Sequence, residues 1–163
     1  MLRDLSIADV KAIVDAHKLW LDTGGKDGKR ADLSHADLWG FNFAGADLTN
    51  AYLVGADLRD ANLSKAFLVC ADLSDAILSD ANLAGAGLAK ADLRRAVLYG
   101  ACLADADLFD SNLLNTNLSC ANLTGAVLDR ADLTGADLTS SIFKPASIRN
   151  ADLRLVTLTD AKL

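Results

Sequence analysis

Residues 46–75 read ADLTN AYLVG ADLRD ANLSK AFLVC ADLSD. Alanine returns at every fifth residue with leucine two places after it, and the phase runs from Ala31 to Leu163 without an insertion. A repeat this regular decides the architecture before any local propensity is consulted. Of the central positions from Leu33 to Leu163, only Phe43, Phe143 and Ile148 are not leucine. Of the small positions, only Phe41, Ser111, Thr116, Ser141 and Val156 are not alanine.

An α-helix turning about 100° per residue would displace successive leucines by about 140° and spread them around its whole circumference. No buried face would result. Three residues of extended chain point in, out and in, which places Ala and Leu inside and leaves the residue between them outside. The last two residues of each repeat then turn a corner. Gly40, Gly45, Gly55, Gly85, Gly100, Gly125 and Gly135 all occupy the final place, where a positive φ is most useful. Composition agrees, because all 22 acidic residues are Asp and the chain has neither Glu nor Gln, both favoured on helix surfaces. Short strands joined by corners make a coil, and coils stacked about 4.8 Å apart make a solenoid filled by its own leucines.

The unbroken A-[DN]-L-x-x pattern of residues 31–163 resembles the pentapeptide-repeat family. That resemblance implies an all-β solenoid: a right-handed quadrilateral parallel β-helix, with four pentapeptides per coil. Stacked coils should correlate residues twenty apart, and three columns do so. Asn42, Asn62, Asn82 and Asn122 form one, interrupted by Cys102. Asp72, Asp92, Asn112, Asp132 and Asp152 form a second. Lys90, Asp110 and Arg130 alternate in sign in a third.

Two segments divide the chain: residues 1–30 as an N-terminal capping helix and linker, and residues 31–163 as the β-helix. SIADVKAIVDAHKLWL (6–21) reads as an amphipathic helix with Ile7, Val10, Ile13, Val14, His17 and Leu21 on one side. Ser6 with Asp9 resembles a capping box, and Thr23-Gly24-Gly25 supplies a stop. A solenoid end exposes leucines and strand edges, so the helix is assigned to cover the first coil with Phe41 and Phe43. No second helix follows the repeats, which leaves the last coil open. Phe143, Leu155, Val156, Leu158 and Leu163 are its candidate contacts in a tail-to-tail homodimer.

No catalytic, cofactor or metal site is indicated. GGKDGKR (24–30) has too few residues between its glycines for a phosphate loop and no Ser or Thr after its lysine, so it reads as a flexible linker. His17 and His35 read as a helix-surface and a turn residue, with no serine in register to activate. Cys70, Cys102 and Cys120 are an odd number without C-x-x-C spacing and read as small fillers. The outward aromatics Trp39, Tyr52, Phe67, Tyr99 and Phe109 are taken as scattered, sharing no column, while Ile77 stacked on Val97 marks the best apolar patch.

A net charge of −6 disfavours direct contact with nucleic acid or an anionic membrane, and no apolar run approaches membrane-spanning length. The N-terminus is too charged for a signal peptide, so a cytoplasmic protein is expected, and the family resemblance implies a bacterial one. A rod packed with leucine offers no pocket for an enzyme. The leading expectation is a non-enzymatic scaffold that binds an unidentified protein through its outer faces.

The family resemblance adds an alternative, since some bacterial members protect DNA gyrase with acidic, DNA-like rods. Asp72, Asp92, Asp132 and Asp152 form the candidate acidic face for such mimicry. Residues 31–163 hold 17 Asp against 10 Lys and Arg, a net of −7. Over a rod of about 31 Å that is one net charge per roughly 4.5 Å, against one per about 1.7 Å in duplex DNA. Ten of those 17 Asp share one place in the repeat, where a short acceptor suits a turn N–H.

Overall fold

The computed structural model describes residues 2–162. The residue that follows each small one forms a parallel bridge to the residue twenty positions later. Asp32 pairs with Tyr52, Asp37 with Asp57, Asn42 with Asn62 and Asp47 with Phe67, and the register continues to Ile142 with Lys162. The coil is therefore twenty residues long and has four sides. These are called faces A to D, after Asp32, Asp37, Asn42 and Asp47 in turn.

Four backbone hydrogen bonds per pentapeptide explain why five residues suffice, one of them from the corner, where the Gly55 N–H donates forward to the Ser74 carbonyl at 2.9 Å. The Leu53 N–H donates forward to the Asp72 carbonyl at 2.7 Å, and the Asp72 N–H donates back to the Ala51 carbonyl at 3.0 Å. The Ala56 N–H closes the corner onto the Leu53 carbonyl at 3.1 Å. With its backbone so satisfied, the wall can bury apolar side chains on its inner side. Leu48 through Leu98 are 0% exposed, every fifth residue, with the alanines between them equally hidden.

The last residue of the repeat takes a positive φ throughout, from His35 (55°) to Asp160 (55°), whether or not it is glycine. Pro145 is the exception, since its ring fixes φ negative. Every other corner therefore bears the left-handed turn that the glycines foreshadowed.

At the N-terminal end the cap is a helix and a strand together. Strand β1 (Arg3–Asp4) adds in parallel to β2 (Ala36–Asp37), continuing face B one rung outward. Helix α1 (Ile7–Asp22) begins with the expected capping box, the Ser6 hydroxyl accepting the Asp9 N–H and Asp9 accepting the Ser6 N–H. Val10 is buried, while Ile13 and Val14 pack against the core with Phe41. The Phe41 and Phe43 rings stack at 6.0 Å.

Three readings of this segment are corrected. Ile7 is 79% exposed, at the rim of a groove between α1 and residues Phe41–Ala46 of the first coil. His17 is fully buried rather than on the surface: Nδ1 accepts the Ala31 N–H at 3.1 Å and the ring stacks on Trp20. GGKDGKR is packed against the helix and is no loose linker. The Lys29 N–H donates to the Ala16 carbonyl at 3.1 Å. A Cβ on Gly28 would press into the backbone of Ala16 and Trp20.

At the other end Ile148, Leu153 and Leu158 occupy core positions yet are exposed, and Leu155 stands 85% exposed at a corner. Val156 is partly buried. Phe143 is only 6% exposed, so it belongs to the interior and not to the end surface. Leu163 lies outside the described residues. Among the described residues no helix is long and apolar enough to cross a membrane.

Candidate functional site

All ten Asp at the strand position, and all six Asn there, accept the N–H of the residue two places on. The bonds run from Ser34 to Asp32 at 3.0 Å through to Arg154 to Asp152 at 3.1 Å. The position therefore selects a short acceptor that holds the corner.

On face A this decides how acidic the candidate face is. Asp72, Asp92, Asp132 and Asp152 do stack in one column, bridged through Asn112. Arg94 folds back onto Asp92 at 2.5 Å and Arg154 onto Asp152 at 2.7 Å, which neutralises two of the four. The Arg154 hydrogen bonds hold the Asp152 carboxyl below its ordinary range. Among the described residues Asp72 and Asp132 remain as carboxylates without a basic partner, about three rungs, or roughly 14 Å, apart.

The same clasp operates on face B, where Arg59 grips Asp57 at 2.5 Å and leaves it 2% exposed. These clasps were missed in the sequence, where the signal is A-D-L-R at 56–59, 91–94 and 151–154.

The remaining carboxylates of the rod sit at corners or beside them. Asp75 pairs with Arg95 at 2.6 Å and Asp110 with Arg130 at 3.1 Å, each pair joining successive coils. Lys90 stands in the same column but bridges neither, so the expected alternation yields one ion pair. Asp60 accepts the Trp39 indole N–H at 2.8 Å, and Asp129 accepts the Arg149 N–H at 2.9 Å. Asp80, Asp105 and Asp160 have no polar partner among the described residues.

Exposed apolar side chains occur on all four faces, and on face B and its corner Ile77 and Tyr99 lie near each other beside the partly exposed Val97. Ile77 and Val97 bridge each other on adjacent rungs, as the sequence suggests. Tyr99, 48% exposed, extends the patch from the rung of Val97. Trp39 lies three coils below Tyr99 in that same corner column, so these two aromatics do share a column, but Arg59 and Ser79 separate them. Tyr52 and Phe109 are stacked by Arg30 and Arg130, with guanidinium-to-ring distances of 3.7 Å and 5.3 Å. Phe67 stands exposed on face D.

Cys70 and Cys120 are exposed at corners and Cys102 is partly exposed on face C, so none fills the interior. The Cys120 thiol lies beside the Tyr99 phenol and raises its pKa. No group of His, Cys or Asp among the described residues is arranged to hold a metal ion. His35 sits at a corner with its ring over the Gly55 Cα, which a side chain there would displace.

No curated protein is significantly similar to the chain in sequence. Among solved structures it is similar to HetL, a pentapeptide repeat protein involved in heterocyst differentiation regulation from the cyanobacterium Nostoc sp. strain PCC 7120. The identity is 36% over 83% of this chain and 71% of that one, with a TM-score of 0.37. A pentapeptide repeat protein from the Arabidopsis thaliana thylakoid lumen is 28% identical over 67% of this chain and 69% of that one, with a TM-score of 0.38. QnrB1, a plasmid-mediated fluoroquinolone resistance protein, is 19% identical over 81% and 84% of the two chains, with a TM-score of 0.43. The profile of pentapeptide repeats matches residues 29–64, 42–80, 56–95, 76–115 and 106–144. Those matches overlap without a gap and span the coils whose twenty-residue stacking is described above. By that span and that register, the chain belongs to the pentapeptide-repeat family.

Proposed function

We propose that this chain is a non-enzymatic interaction module, a right-handed square-sided rod (31–163) closed by its N-terminal segment (1–30), which binds a protein partner on face B. The observation that carries this reading is the patch of Ile77, Val97 and Tyr99. Its Ile77 and Val97 interrupt a column that holds turn-forming Asp and Asn at every other rung before Thr157. Neither isoleucine nor valine can accept the corner N–H, so the rod gives up a local hydrogen bond at two successive rungs. Exposed apolar side chains grouped in this way suit a partner's surface.

A photo-crosslinking residue at position 77, compared with one at position 122 on face C, tests it. A single partner captured from 77 and not from 122 is expected. Capture from neither site, or equally from both, would overturn the reading.

The open end supports a further element of the proposal, a tail-to-tail homodimer through Leu153, Leu155 and Leu158. Small-angle scattering should then give about twice the 17.1 kDa chain mass, and Leu155→Asp should restore the single mass. A wild-type chain of single mass at high concentration would remove the dimer.

Topoisomerase inhibition by DNA mimicry, DNA gyrase being the candidate target, is the second reading. The clasped carboxylates of face A weigh against it. Replacing Asp72, Asp92, Asp132 and Asp152 together by Asn keeps the turn acceptors and removes the charge. Supercoiling inhibited by the wild type and spared by this variant would favour mimicry over the reading given first.

A further inference from the structure

Beneath the first coil, between α1 and face A, lies a cavity of about 280 Å³. Arg3, Lys29 and Arg30 line it, with Asp32 as its one carboxylate, and Ala12, Ile13 and Ala16 of α1 form its apolar floor. Three cations against one acid is a local excess of two positive charges in a chain whose net charge is −6. Like charges brought together beside an apolar wall repel more strongly than they would in open water.

The two guanidinium groups are held in place by the coil. The Arg3 Nη1 donates to the carbonyls of Asp32 at 3.3 Å and Ser34 at 3.1 Å, which have no coil below them to serve. Arg30 donates through Nε to the Asn50 carbonyl and through Nη1 to the Tyr52 hydroxyl at 2.6 Å, and its plane lies on the Tyr52 ring. Each guanidinium thus keeps further N–H groups unused. The Lys29 backbone is anchored to Ala16, whereas its ammonium has no polar partner among the described residues.

The Asp32 carboxylate is engaged with the Ser34 N–H at 3.0 Å and reaches Arg3 only at 3.8 Å, so it does not balance the cluster. Capping of bare carbonyls accounts for Arg3 and Arg30. It does not account for the placement of the exposed Lys29 on the same cleft.

We propose that this cavity binds a small phosphate or carboxylate anion carried on a short apolar stem. The oxyanion would take the free N–H groups of Arg3 and Arg30 and the Lys29 ammonium, in the charge-assisted manner such groups favour. The stem would lie on Ala12, Ile13 and Ala16. The site lies at the opposite end of the rod from the open coil and away from the apolar patch of face B, so it stands independently of the reading above.

The test is titration of the full chain, followed by amide NMR, with inorganic phosphate, n-butyl phosphate and butanoate. Sodium chloride at matched ionic strength and n-butylamine are the controls. The expected result is saturable shifts at Ala12, Ile13, Ala16, Lys29 and Arg30 with the anions only. Butyl phosphate should bind more tightly than phosphate by about fourfold for each methylene buried.

Lys29→Glu, which removes no hydrogen bond of the fold, should weaken binding by about tenfold or more with helicity by circular dichroism unchanged. Absence of saturable shifts would overturn the proposal. So would equal binding by n-butylamine, or an affinity untouched by Lys29→Glu.

Discussion

Asp132 accepts the Thr134 N–H at 2.9 Å, and Asn122 accepts the Thr124 N–H at 3.1 Å from the same place in the repeat. One acceptor is charged and the other neutral, so the bond and not the charge is the shared property. Asp132→Asn should therefore change stability by no more than about 0.5 kcal/mol, and Asp132→Ala should cost about 1 kcal/mol in urea melts. Equal losses in the two variants would show that charge matters.

The corner glycines allow a second comparison. Gly45 has φ of 67° and open space around a would-be Cβ, whereas at Gly125, with φ of 72°, the Asp105 carboxylate leans into that space from the coil before it. Gly45→Ala should cost about 1–2 kcal/mol for the left-handed backbone alone, and Gly125→Ala more than that. With Asp105→Ala as the reference background, since Asp105 also has a positive φ of 57°, Gly125→Ala should cost no more than Gly45→Ala does in the wild type. Turn acceptors and positive-φ corners were legible in the sequence because each belongs to one place in the repeat. The arginine clasps were not, since a carboxylate two residues away is reachable only once the corner geometry is known.

At the scale of elements, α1 announced itself by its capping box and its apolar spacing. Strand β1 did not, because two residues carry no period and their pairing edge exists only after the first coil has formed. His17 shows the same limit: its place on the apolar side was readable, but its burial depends on Ala31 offering an N–H. Burial lowers the His17 pKa, aided slightly by Arg30 and opposed by the Thr49 backbone and Asp47. The buried Nε2 meanwhile has no partner at hydrogen-bonding distance among the described residues.

A histidine whose folded pKa is depressed binds its proton more readily when unfolded, so stability rises with pH across its titration. Its contribution is complete above the unfolded value of about 6.5 and is lost as pH falls from there toward the folded pKa. Urea midpoints should drop between neutral pH and pH about 5, and His17→Phe should flatten that slope. The Asp57 carboxyl, lowered chiefly by its Arg59 hydrogen bonds, acts in a separate window. Its stabilisation is present above about pH 4 and disappears only on further acidification.

Over the whole molecule, each coil touches only the coils above and below it, so stability is close to a sum of neighbouring terms along the rod. Leu83 is fully buried at mid-rod, with coils on both sides, whereas Leu158, at the same place in the pentapeptide but on face B of the last coil, is 40% exposed. Leu83→Ala should leave a cavity that the stacked walls cannot close, at a cost of about 3 kcal/mol. It should also weaken hydrogen-exchange protection in the coils on either side. Leu158→Ala should cost about 1 kcal/mol and loosen the last coil only, since much of that side chain is already in water. The gradient between the two reports on the open end itself. If Leu158→Ala proves nearly as damaging as Leu83→Ala at high protein concentration and mild on dilution, a second copy covers the end in solution. If its cost is large at every dilution, the end is closed within a single chain and the tail-to-tail contact is excluded. If it stays mild throughout, the end remains open and the chain works as a single rod.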